Sequence, residues 1–134
     1  MSEGDDRLKR GRELARRHLG EGTVERWRAI SPDLEELTST FAFADLWSRP
    51  GLGRRDRSIV ALAVTATLRA GPQLAWHVRG ALGAGVTPEE VREVLIAVSG
   101  LAGFPAAWSA LEVAEPILAE HEGRPTGDSA DEPA

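Results

Sequence analysis

Thr87-Pro88-Glu89-Glu90 is the stretch that most narrows what this 134-residue chain can fold into. A threonine cap, proline at the first helical position and a glutamate able to reach back to the cap N–H together specify a helix start. Val91, Val94, Leu95 and Val98 follow at helical spacing and give that helix an apolar stripe. The same punctuation recurs along the chain. Residues 5–19 form a helical run that stops at Gly20. Ser31-Pro32 opens a helix predicted to reach Trp47, and Ser48-Arg49-Pro50-Gly51-Leu52-Gly53 breaks it with a loop. Ile59, Leu62, Ala63 and Ala66 mark a further helix over 55–70. Gly71-Pro72 ends that helix and starts another, which carries Gln73, Trp76 and His77 and fades at Gly83-Ala84-Gly85. A last helix is predicted from Pro105 to about Glu120. No segment sustains strand alternation and no fixed-period repeat is present, so the expected class is all-α. The expected organisation is one helical domain over residues 1–120 and a disordered acidic tail over 121–134, where Gly, Pro and acid accumulate.

Composition removes several function classes. The chain has no cysteine, which excludes disulfides, thiolate metal sites and cysteine-based nucleophilic or peroxidatic chemistry. No apolar run approaches the ~18 residues of a membrane span. The opening MSEGDDRLKR has no apolar core for a secretory signal, so a cytoplasmic protein without a membrane partner is expected. A net charge of −5 disfavours nucleic acid as a partner. Half of the 16 basic residues precede Ile30, but they alternate with Glu13, Glu21 and Glu25 and read as a solvated helix face. The single lysine, Lys9, lies in that stretch, a poor place for Schiff-base chemistry. The sequence contains no H-E-x-x-H, no His–carboxylate ligand cluster, no G-x-S-x-G and no nucleotide fingerprint.

Several pieces stand in a characteristic order. Trp47 and the SRPGL loop precede a helix that carries Arg57. H-x-x-x-A-x-x-x-G-V-T follows at His77, Ala81, Gly85, Val86 and Thr87. E-E-V-x-E-V-L spans Glu89 to Leu95, and A-G-F-P-A-A spans Ala102 to Ala107. With the leading RELARRHLGEGTVERW segment, residues 10–118 resemble the carboxymuconolactone decarboxylase family. The resemblance implies an alkylhydroperoxidase D-like helical bundle, a homo-oligomer (trimer or hexamer), and cofactor-free conversion of γ-carboxymuconolactone to β-ketoadipate enol-lactone and CO2 in aromatic catabolism. The substrate is expected to be a small anionic lactone or keto acid. The peroxidase branch of that superfamily needs a C-x-x-C pair and does not carry over. The resemblance also marks His77 as functionally important. The chain departs from the family pattern at Gln73, where a glutamate is common, at Leu101, where a tyrosine is common, and at Trp108. These departures leave open a different reaction on the same fold (isomerisation, cyclisation or dehydration in a biosynthetic pathway) or a non-catalytic oligomeric binding protein.

Loss of CO2 needs an oriented carboxylate, stabilisation of the charge left behind and a proton donor. His77 is the expected catalytic group, able to deliver a proton if it titrates near neutrality. Gln73, one turn earlier on the same stripe, would orient the imidazole or touch the ligand. Arg49 and Arg57 are candidates for the substrate carboxylates; alternatively Arg49 ties down its loop and Arg57 pairs with Asp45 or Glu93. Trp47, Trp76 and Trp108 line a pocket or belong to core and subunit interface. Glu89, Glu90 and Glu93 belong to a helix start rather than to acid chemistry, and His18 suits the dipole at a helix end.

Overall fold

A computed structural model describes residues 2–124, which form helices and connecting turns without a strand. Contacts group the chain into two compact units, Met1–Arg57 and Ser58–Ala134.

In the second unit, α4 (Arg54–Thr67, entering from the first unit), α5 (Gly71–Gly83), α6 (Pro88–Ala102) and α7 (Phe104–Glu122) enclose one core. The expected capping box opens α6. The Glu90 N–H donates to Thr87 Oγ1 at 3.1 Å, and the Thr87 N–H donates to Glu90 Oε1 at 3.0 Å. Leu62, Leu74, Val78, Val91, Leu95 and Leu118 are buried at the centre, and a fully buried leucine contributes about 2 kcal/mol. Helix α7 offers this core mainly Ala106, Ala110 and Ala114, small enough to admit its neighbours closely. On the surface Arg92 ties α6 to α7, donating to Glu115 at 2.7 Å and to Glu122 at 2.8 Å.

Two boundaries differ from the sequence expectation. Helix α4 stops at Thr67, short of Ala70, because Arg69 turns into the left-handed region (φ 55°) and the Ala70 N–H returns to the Thr65 carbonyl at 2.9 Å. Helix α7 runs through His121 and Glu122, which were expected to begin the tail, and closes on left-handed Gly123. The acidic tail expected beyond them, Pro125–Ala134, lies outside the described residues.

The first unit comprises α1 (Glu3–Leu19), α2 (Thr23–Ile30), α3 (Pro32–Leu37) and a π-helical segment, Thr38–Trp47. Helix α2 has no counterpart in the sequence reading. Its N-cap, Gly22, supplies no side-chain hydrogen bond, so a local start signal is missing. Ser31 caps α3 as expected, its Oγ accepting from the Leu34 N–H at 3.2 Å. The predicted single α-helix to Trp47 is not what forms. After Leu37 the backbone widens to the i→i+5 pattern, usually confined to single turns. The Thr38 and Thr40 hydroxyls donate to the carbonyls of Leu34 and Glu36, each at 2.7 Å, serving acceptors at the point of widening. The segment lies along α1, and Gly11 makes this possible: a Cβ there would sit 1.7 Å from the Ser39 carbonyl oxygen.

Candidate active site

Helix α5 positions the central candidates. Proline at its first turn fixes the start, and Leu74, Val78 and Ala81 anchor one face in the core. Gln73 and His77, one turn apart, run beside that anchor, with Gln73 exposed and Trp76 and His77 half-buried. Burial pushes the His77 imidazole down to about 4 from its ordinary 6.5. This corrects the expectation of a histidine titrating near neutrality. At pH 7 His77 is neutral, with one N–H to donate and one nitrogen lone pair to accept. Gln73 adds an amide that can do both without adding charge.

The remaining candidates separate into different roles. Arg57 faces the Ser48–Gly53 loop: its Nε donates to the Leu52 carbonyl at 3.2 Å and its Nη2 to the Arg49 carbonyl at 3.0 Å. The loop anchor is therefore Arg57, where Arg49 had been the alternative, and the Arg49 residue is exposed. Asp45, considered as a partner for Arg57, is held instead by Arg7, whose Nε donates to Oδ1 at 2.9 Å. Trp47 ends the π segment with its ring centroid 4.2 Å from His18 and 5.7 Å from Phe43, while Trp27 adds a further face to Phe43 at 5.9 Å. That favours the core reading of Trp47. Trp108, on the first turns of α7, is 64% exposed. Thus Trp47, Arg49 and Arg57 belong to the first unit, and Gln73, Trp76, His77 and Trp108 to the second.

Two polar groups are buried in ways that the sequence reading did not foresee, His18 having been read only as a helix-end match and Glu35 not singled out at all. His18 is only 4% exposed, and its Nδ1 accepts from Arg54 Nε at 3.2 Å. Accepting there requires a lone pair on Nδ1, so the dipole-matched cation expected at this helix end is replaced by a neutral acceptor. Glu35 is 1% exposed. Arg12 grips it at 3.1 and 2.6 Å, and the Ser39 hydroxyl donates to it at 2.6 Å. Burial raises the Glu35 carboxyl, but the hydrogen bonds from Arg12 and Ser39 outweigh that and hold it below its ordinary value. Arg12 and Glu35 lie 23 residues apart, too far for any local pattern to pair them. Several N-terminal basic residues thus sit in ion pairs, Arg16 with Glu25 among them at 2.8 Å.

Among the described residues, hollows adjoin α5 at both of its ends. An open groove of about 410 Å³ at its C-terminal end is lined by Arg79, Leu82, Gly83, Ile117, Glu120 and His121. A hollow of about 50 Å³ near its start is bounded by Leu74, Arg69, Ser109 and Val113 among others. Among the described residues no three His, Asp or Glu side chains are grouped to hold a metal ion, and no helix is long and apolar enough to cross a membrane.

The family model described as "Carboxymuconolactone decarboxylase family" matches residues 32–116, from the first residue of α3 into α7. The chain belongs to the carboxymuconolactone decarboxylase family. It is 36% identical over 118 residues to a 4-carboxymuconolactone decarboxylase of Acinetobacter baylyi, covering 85% of this chain and 88% of that one. It is 35% identical to a nitrosuccinic acid decarboxylase of Metarhizium robertsii, over 63% of this chain and 59% of that protein. An uncharacterised 15.0 kDa protein of Paracoccus denitrificans is 39% identical, over 60% and 61% of the two chains. Membership agrees with the all-helical architecture and with the order of motifs from the Trp47 loop to Ala107. The two relatives with named activities are both decarboxylases, so the chain is related to carboxy-lyases.

Proposed function

We propose that the protein is a cofactor-free carboxy-lyase, acting on a small polycarboxylate whose departing CO2 leaves its electrons on a neighbouring acceptor group. The observation that carries this reading is the match to a 4-carboxymuconolactone decarboxylase along nearly the full length of both chains. The second decarboxylase is named for nitrosuccinic acid, a different skeleton. The two substrates share a carboxylate beside an electron sink, an unsaturated lactone in one and a nitro group in the other. On this reading the C–CO2 bond breaks, its electron pair moves into the sink, and one proton from solvent later replaces CO2 on the substrate. Neutral His77 donates its N–H to the oxygen where charge develops and relays the proton, a role that needs no imidazolium in the resting site. Gln73, one turn earlier on the same helix, orients that imidazole.

A second reading keeps the fold and changes the reaction. It is favoured by the neutral Gln73 beside His77 and by apolar Leu101 and Trp108 where the family carries polar groups. Gln73→Glu separates the two. For a γ-carboxymuconolactone decarboxylase, CO2 release from that lactone should persist or rise in the variant. For a shifted reaction, the variant should lose the native turnover without gaining decarboxylation. Absence of CO2 release from both proteins would remove the assignment to this lactone.

We further propose assembly into a trimer or hexamer. At the α6–α7 corner Leu101 is 91% exposed, with Phe104 at 67% and Ile96 at 51% alongside exposed Trp108, an apolar set that a lone subunit leaves in water. Light scattering should report three or six subunits for the wild type and a smaller particle for Leu101→Glu. A wild-type monomer at micromolar concentration would contradict the proposal.

A further inference from the structure

The π segment Thr38–Trp47 is the element at odds with its own sequence. Its residues continue the helical run that Ser31-Pro32 opens, yet the backbone takes the wider turn over 10 residues. A wide turn leaves poor contact along the helix axis, so regular segments of this length are rare without outside support. That support comes from α1 at both ends. At the N-terminal end Ser39 lies against Gly11, and its hydroxyl joins the buried Glu35 carboxylate that Arg12 grips from α1. Arg28 of α2 stands 3.8 Å from the same carboxylate. At the C-terminal end Arg7 of α1 pairs with Asp45, and the Trp47 ring lies against His18. The latch is reachable, since the Arg12 side chain is 24% exposed and borders an open groove along α1 with Leu8, Lys9 and Arg16.

We propose that the π segment is a latched conformational element: the Arg12–Glu35–Ser39 contact holds it closed, and its release lets residues 38–47 open as a unit, drawing Trp47 away from His18. Opening also frees the entry to the Ser48–Gly53 loop, whose other end Arg57 holds through the Arg49 and Leu52 carbonyls. The loop that displays Arg49 therefore hangs between a fixed end and a movable one. This is a property of the polypeptide and stands whether or not the protein decarboxylates anything.

Hydrogen exchange followed by mass spectrometry on the full-length chain tests it. In the wild type, peptides over 38–47 should exchange faster than those of α6 and α7. Glu35→Gln keeps the side-chain shape and removes the charge that Arg12 holds, and it should speed exchange over 38–47 about tenfold or more while α6 and α7 stay unchanged. Ser39→Ala removes one hydrogen bond and keeps the ion pair. It should raise exchange in the same peptides by a few-fold and decides the matter if Glu35→Gln does not fold. Peptides over 38–47 as protected as α6 and α7 in every variant, or acceleration spread evenly over the chain, would overturn the latch.

Discussion

Gly11→Ala should destabilise the protein by about 3 kcal/mol, the upper range for forced overpacking. Helix propensity alone predicts the reverse sign, because alanine inside a helix is favoured over glycine by roughly 0.5–1 kcal/mol. The sign of the measured change therefore separates the two accounts. The added methyl would stand 1.7 Å from the Ser39 carbonyl oxygen and 2.5 Å from its carbon, both backbone atoms that no side-chain rotation can withdraw. Gly4, on the same helix, has only the Ser2 hydroxyl oxygen within reach, at 3.7 Å. Gly4→Ala should be neutral or mildly stabilising. Denaturant midpoints of the two variants, with equal m-values, make the comparison. A Gly11→Ala protein as stable as the wild type would mean that α1 and the π segment do not approach as closely as described.

His77→Ala should lower turnover by roughly a hundredfold, the scale on which a positioned acid or base contributes, with helicity by circular dichroism unchanged. The pH dependence carries a sign that follows from burial. The folded imidazole binds its proton only near pH 4, whereas the unfolded one binds it near 6.5. Between those values the unfolded chain holds the extra proton, so the stability contributed by neutral His77 is complete above about pH 6.5 and declines as pH falls towards 4. Activity, insofar as it depends on neutral His77, should stay level from pH 7 to about 5. In Gln73→Glu a neighbouring carboxylate favours the imidazolium, so the acid limb should move towards neutrality. A wild-type acid limb centred near 6.5 would show His77 to be solvated rather than shielded, and full activity in His77→Ala would leave it a packing residue.

What the sequence discloses and what it withholds divide along a physical line. Caps and breakers act within a few residues. Thr87 to Glu90, Ser31-Pro32 and Gly71-Pro72 each locate a helix start without reference to the rest of the chain, and the apolar stripes of α4 and α6 follow from their period. The π segment is different. Its local pattern is α-helical, and the wider turn depends on Gly11, Arg12 and Arg7 on another helix. His77 could be placed on its helix from spacing, but its titration depends on atoms distant in sequence, so the expected near-neutral value was unreachable by motif reasoning. Arg49 and Arg57 were singled out together as residue types suited to carboxylates. Only the hydrogen bonds of Arg57 to two loop carbonyls separate the anchor from the displayed residue.

The unequal settings of the four tryptophans give the chain an optical label of its own. Trp27, Trp47 and Trp76 are half-shielded, while the indole of Trp108 stands largely in water at the α6–α7 corner. In an isolated subunit that one fluorophore should emit at the red edge and be the first to be quenched by an aqueous collider such as iodide. On the assembly proposed above, burial of this indole between subunits should shift its emission to the blue and shield it from the quencher, which would report assembly with no dye attached.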